Sequence, residues 1–159
     1  VSEAAGVAEA TVYLSFASKA TLLDAVIIRA TRDNPAESLD AIAAAPPHEI
    51  LPRLATSSTL LMARAGRLIA LGESATLMDA ELRPTRERAH RRLRVAFRVL
   101  ADRLDEAGVL RIGAQEAADT IYAINSETTY LRMTEGAGLS SDGYARWLTD
   151  TLGAKLLNS

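Results

Sequence analysis

Apolar residues recur along this chain at intervals of three and four, the repeat of helices with one face turned inward. Between Ala89 and Ala107 the positions Ala89, Leu93, Ala96, Phe97, Leu100, Leu104 and Ala107 form one such stripe, which predicts a long amphipathic helix. Its other faces carry Arg86, Arg88, Arg91, Arg92, Arg94 and Arg98 with His90 among them, and Glu87 is the only nearby acid before Asp102. Such a face is ordinarily solvated; an acidic ligand or flanking DNA is the alternative. Start and stop signals frame further helices. Ser18 precedes KATLLDAVIIRATR, Gly108 follows the run ending LDEA, and Ser140, Ser141 and Asp142 precede GYARWLTDTLGAKLL. Asn34-Pro35 and Ala45-Pro46-Pro47 are breaks, because a residue before proline is pushed out of the helical region. They isolate a short helix from Ala36 to Ala44, ahead of a longer one starting near His48. Gly66, Gly72 and Pro84 then interrupt the middle of the chain, where two or three shorter helices are expected.

Composition agrees with an all-α fold and narrows the partners. Hydrophobic residues make up 48% and charged residues 24%, enough for one sizeable core in 159 residues, and Ala, Leu and Arg dominate over the 4% of aromatics. The formal charge of −2 gives no global attraction to nucleic acid or to an anionic membrane, so any such binding has to come from a local patch. Without cysteine there is no disulfide framework, thiolate metal site or cysteine nucleophile, and a cytoplasmic location is expected. No apolar run reaches the roughly 18 residues that span a bilayer. Val1 to Ala5 reads as the back half of a helix whose front is missing, so a truncated or unobserved N-terminus is expected.

The stretch from Ala5 to Lys19, AGVAEATVYLSFASK, carries the most specific chemistry. A helix, a Gly6-Val7 turn and a short helix from about Ala8 to Leu14 have the spacing of a helix-turn-helix, in which glycine permits the tight reversal. Val7, Val12 and Phe16 dock the second helix, and Glu9, Ala10, Thr11, Tyr13 and Ser15 remain outward, where they can lie in a groove of duplex DNA. Lys19 falls in the first turn of the next helix, which the macrodipole disfavours for a cation unless a phosphate sits there too.

These residues bring a resemblance with them. AAGVAEATVYLSFASKATLLDAV resembles the DNA-binding signature of the tetracycline-repressor (TetR) family: an Ala-Gly-Val turn, a Thr-x-Tyr recognition helix, Phe, then Ser-Lys opening the fourth helix. More weakly, AADTIYAINSETTYLRMTEGAGLSSDGYARWLTDTLGAKLL is similar to C-terminal helices of many actinobacterial-type members. The resemblance implies a homodimeric transcriptional regulator, usually a repressor, on a pseudo-palindromic DNA operator. Residues 1–33 would form an incomplete helix-turn-helix head with its linking helix, and residues 34–159 a helical effector-binding and dimerisation domain. Thr11, Tyr13 and Lys19 occupy positions that touch phosphates or base edges in the family, and Gly6 matches the turn. Ala8 stands where a capping Ser or Thr is common, Glu9 is an anion in a place more often basic or neutral, and Leu14 and Ser15 replace larger polar or basic groups.

The remaining candidates follow from side-chain character. Leu54, Leu61, Met62, Leu68, Ile69, Phe97 and Leu100 are suited to line an apolar effector cavity, with Tyr122, Asn125 and Ser126 supplying polar contacts; plain core is the competing reading for each. Asn125 stands out, because an amide among Ile121, Tyr122 and Ile124 needs a partner. A largely hydrophobic small molecule is the expected effector. Tyr130, Met133, Tyr144, Trp147, Leu148, Thr151 and Leu152 give the last two helices more apolar surface than one packing face hides, which predicts pairing across a two-fold axis as a four-helix bundle. Catalysis is not expected: His48 and His90 have no metal spacing, no Gly-rich phosphate loop or Gly-x-Ser-x-Gly elbow occurs, and Glu73, Glu81 and Glu87 read as surface partners of arginines. No cofactor is expected. The competing reading is a helical dimerisation and ligand-binding module without operator binding, suggested by Ala8, Glu9 and the sparse basic charge around the second helix.

Overall fold

A computed structural model describes residues 19–32 and 36–158, and over them the chain is helical, with no strand. Seven α-helices follow one another there: α1 (Lys19–Arg32), α2 (Leu39–Ala43), α3 (Pro47–Met78), α4 (Arg83–Glu106), α5 (Ala114–Ile124), α6 (Glu127–Leu131) and α7 (Ser141–Leu156). A 3-10 turn, Ala80–Leu82, joins α3 to α4, and a π-helical turn, Arg132–Gly136, follows α6.

Local chemistry places most of these ends. Ser38 Oγ accepts from the Ala41 amide at 3.2 Å, Ser126 Oγ from Thr129 at 3.2 Å and Ser140 Oγ from Gly143 at 3.1 Å, so each serine satisfies a helix-initial amide that lacks an intrahelical partner. Asp79 does the same for Glu81 across the α3–α4 turn. Gly108 ends α4 at φ 69°, a left-handed conformation that favours glycine.

The middle of the chain departs from expectation. In place of two or three shorter helices, α3 runs unbroken for 32 residues, about 48 Å, through Pro52, Gly66 and Gly72. Intrinsic propensity is a weak preference that packing overrides, and Gly72 shows how. A Cβ added there would stand 2.6 Å from Ile27 Cδ1, so the missing side chain is the seat of α1 on α3. Pro84 lies in the first turn of α4, where a missing N–H costs nothing, and therefore starts a helix. The short second helix is five residues, narrower than Ala36 to Ala44.

The core lies at one end of the α3–α4 hairpin. Ile50, Leu51 and Leu54 of α3 meet Phe97, Leu100 and Leu104 of α4, with Ile42 of α2, Ile121 of α5 and Tyr144, Leu148, Leu152 and Leu156 of α7 closing around them. The predicted stripe on α4 holds at Phe97, Leu100 and Leu104, while its two ends, Ala89 and Ala107, are exposed. Backbone bonds from Arg111 to Leu156 (2.9 Å) and from Asn158 to Val109 (2.9 Å) fasten the end of α7 to the α4–α5 connection.

This core corrects the expected dimer face. Tyr130, Tyr144, Leu148 and Leu152 are buried inside the chain itself, because α7 packs its apolar side against α3 and α5. Of the expected interface residues, Met133, Trp147 and Thr151 remain half-exposed.

Candidate functional site

Near the turn of the hairpin the helices meet through polar groups. Glu73 of α3 accepts from Arg86 of α4 through both Nε, at 3.0 Å, and Nη2, and its second oxygen lies 3.2 Å from His90 Nε2. Tyr122 of α5 extends the chain, with its hydroxyl 2.8 Å from His90 Nδ1. A carboxylate only accepts, so one neutral tautomer satisfies everything: Nε2–H donates to Glu73 while Nδ1 accepts from the Tyr122 hydroxyl. The Arg94 guanidinium covers the Tyr122 ring at 4.8 Å from its centroid, and the His90 and Tyr122 rings meet edge to face.

Burial makes this network consequential. The Arg86 side chain is 11% exposed and that of Glu73 29%, so neither is an ordinary solvated partner. Burial pushes the Glu73 carboxyl up, but hydrogen bonding and charge from Arg86, joined by His90, outweigh it and hold the group below the usual carboxylate range.

The network forms one wall of a half-open cleft of about 220 Å³ between α1, α3 and α4. Ile27 and Ile28 of α1, Ile69 of α3 and Ala89 of α4 supply its apolar surface, and Asp24, Thr31, Thr85 and Glu127 add further polar lining. A guest with an apolar body fits against the isoleucines, and a polar group on it would compete for the Glu73–Arg86 pair.

The sequence-based candidates divide sharply here. Ile69 lines the cleft, and Tyr122 reaches it through His90. Leu54, Phe97 and Leu100 are core, with Met62 packed against it, while Leu61 and Leu68 are half-buried and not among the residues that line the cleft. Ser126 caps α6. Asn125, buried as expected, donates through Nδ2 to Ser58 Oγ at 2.8 Å and so pins the end of α5 to α3. Core packing, a helix cap and one interhelical hydrogen bond thus account for residues that side-chain character alone assigned to a ligand. Glu73, Arg86 and His90 were the residues missed as a site. Their one signal is distance from the turn at Asp79–Leu82: in an antiparallel hairpin, residues similarly far from the turn on either side face each other.

Lys19 opens α1, whose first turn holds no acid. Glu9, Ala10, Thr11, Tyr13 and Ser15 lie outside the described residues. Among the described residues no His, Asp or Glu cluster could hold a metal ion, and no helix is long and apolar enough to cross a membrane. No protein-family model, curated protein or solved structure matches the chain.

Proposed function

We propose that this protein is a DNA-binding transcriptional regulator of the tetracycline-repressor type, a homodimer on a pseudo-palindromic duplex operator that a small, largely hydrophobic effector releases. The observation that carries this reading is continuity. The stretch Ala5 to Lys19, with its Thr-x-Tyr and Ser-Lys pattern, leads directly into α1, and α1 is itself a wall of the cleft. At about 220 Å³ the cleft is smaller than the roughly 300–1,000 Å³ of ordinary ligand pockets. A larger guest therefore has to move α1 away from Gly72 and Ile69. That displacement changes the position of everything α1 carries, which is what release from DNA requires. Two copies bring two reading segments to two half-sites, and Met133, Trp147 and Thr151 on the outer side of the last helices are the surface for pairing.

The test is fluorescence anisotropy of the full chain on genomic fragments that include its own upstream region, at low salt, with and without apolar small molecules. Saturable binding to a particular fragment, weakened by a compound that also raises Tm, is expected. Absence of specific binding on every fragment overturns the regulator reading, and sedimentation as a monomer at micromolar concentration overturns the dimer.

A further inference from the structure

Eight of the sixteen arginines in this chain lie on α4, a single helix of 24 residues. Toward its C-terminal end they are neutralised locally: Arg98 pairs with Asp102 at 2.7 Å and Arg103 with Glu106 at 3.1 Å. Arg86 is taken up by Glu73. Arg88, Arg91 and Arg92 are exposed and have no acidic partner among the described residues; Arg88 donates only to Thr85 Oγ1, at 2.8 Å.

Their placement works against the helix. Arg88 is three and four residues from Arg91 and Arg92, the spacing at which like charges repel on a helix surface, and Glu87, four residues before Arg91, is the one acid among them. No acid occupies the first turn, where the macrodipole would favour one. With a chain charge of −2, the cluster is not the overflow of a basic composition. Three exposed guanidinium groups close together match a row of phosphates, because each presents a planar fork of donors to two oxygens. Arg88 and Arg92 are separated by about 6 Å along the helix axis, a length over which duplex DNA places roughly three phosphate charges.

We propose that Arg88, Arg91 and Arg92 form a second, sequence-independent contact to the phosphate backbone of duplex DNA, beside the site read by the N-terminal segment. The choice of DNA rests on the regulator reading and on position. The arginines occupy the N-terminal part of α4, the same part that lines the cleft against α1 through Thr85, Arg86, Ala89 and His90 on its inner face. A lipid surface fits less well: an interfacial helix inserts a broad apolar face, and the face of α4 that carries Phe97, Leu100 and Leu104 is spent on the core, which leaves Val95 and Val99 as its exposed large apolar residues.

The experiment compares the full chain with its R88Q/R91Q/R92Q and Lys19→Ala variants on a non-specific 40-base-pair duplex across a salt series. The triple variant should flatten the dependence of log K on log salt by about two to three, at roughly 0.9 per phosphate contact, and Lys19→Ala by about one. The Tm of the triple variant should not fall, since repulsion is removed. An unchanged slope in the triple variant, with Lys19→Ala still flattening it, overturns the patch and leaves the regulator reading standing. A flattened slope in the triple variant alone supports the patch and counts against the N-terminal segment as the DNA reader. Failure of all three proteins to bind duplex overturns both. Capture of the parent chain, but not of the triple variant, by anionic phosphatidylserine vesicles with no difference on DNA overturns the DNA assignment in favour of a lipid headgroup.

Discussion

The two ends of the α3–α4 hairpin are held together in different ways. Away from the turn, Ile50, Leu54, Leu100 and Leu104 are fully buried and α5 and α7 complete an apolar core around them. Close to the turn, the contacts are the Glu73–Arg86–His90–Tyr122 chain and the seat of Ile27 over Gly72, while Leu71, Leu77 and Met78 stay exposed because the core does not extend that far. Apolar burial is non-directional and scales with area, so the far end behaves as a scaffold. A half-buried ion pair depends on geometry, and removing one partner strands the other. The near end is therefore the adjustable one. It is also where α1 docks, so a change there acts on the seat of α1 without disturbing the core.

The strongest way to break this contrast is at the scaffold end. Leu148→Ala empties a fully buried site and should cost about 2–5 kcal/mol in urea unfolding, lowering the midpoint for the whole chain. A smaller loss than that of Glu73→Gln would place the scaffold elsewhere. Glu73→Gln itself should cost about 1–3 kcal/mol at neutral pH, by leaving the nearly buried Arg86 without its carboxylate. Its pH dependence sharpens the point. A carboxyl held below its ordinary value of 4.5 contributes fully above that value and loses the contribution as pH falls through the lower native one. Acidification below pH 4.5 should therefore narrow the stability gap between the parent and Glu73→Gln, and a constant gap would rule out the ion pair as its source.

Gly72→Ala should separate local docking from global stability. The new Cβ collides with Ile27 Cδ1, yet alanine favours the helix by about 1 kcal/mol, so Tm should hardly move. Amide exchange in α1 should rise; unchanged protection there would show that Ile27 rotates away freely. The smallest effect belongs to Tyr144→Phe in the scaffold. The Tyr144 hydroxyl is buried and has no hydrogen-bond partner among the described residues, so its loss should be neutral or slightly stabilising at pH 7. Burial, then the neighbouring Tyr130, pushes its pKa up to about 12. The parent chain should thus lose stability as pH rises from 10 toward 12, and Tyr144→Phe should lose less over that span. Equal losses in the two proteins would remove Tyr144 as the group responsible.

Much of the helical organisation was legible in the sequence. Gly108 after α4 and Ser140 before α7 each stand at or next to the helix boundary they predicted, because caps and breakers act on backbone groups within a few residues; Ser18 lies outside the described residues. The misreading of Gly66 and Gly72 has the opposite origin. A glycine inside a helical pattern weakens it locally, and only the helix lying across it shows that the absence of a side chain is the point of contact. Likewise, Tyr144, Leu148 and Leu152 read as an excess apolar face, since the sequence does not say that α3 and α5 both pack against α7.

By itself, then, the sequence determined the helical class, the main helix ends, the amphipathic stripe of α4 and the clustering of its arginines, all of which depend on spacing within a single helix. Tertiary structure alone decided that Glu73, 13 residues from Arg86 and 17 from His90, joins them in one network, that Asn125 donates to Ser58, and that the cleft opens against α1 and not within the apolar core. Those outcomes depend on which helix crosses which and at what register. Periodicity records only that a face will be covered, and the identity of the covering helix is set by the packing of the whole chain.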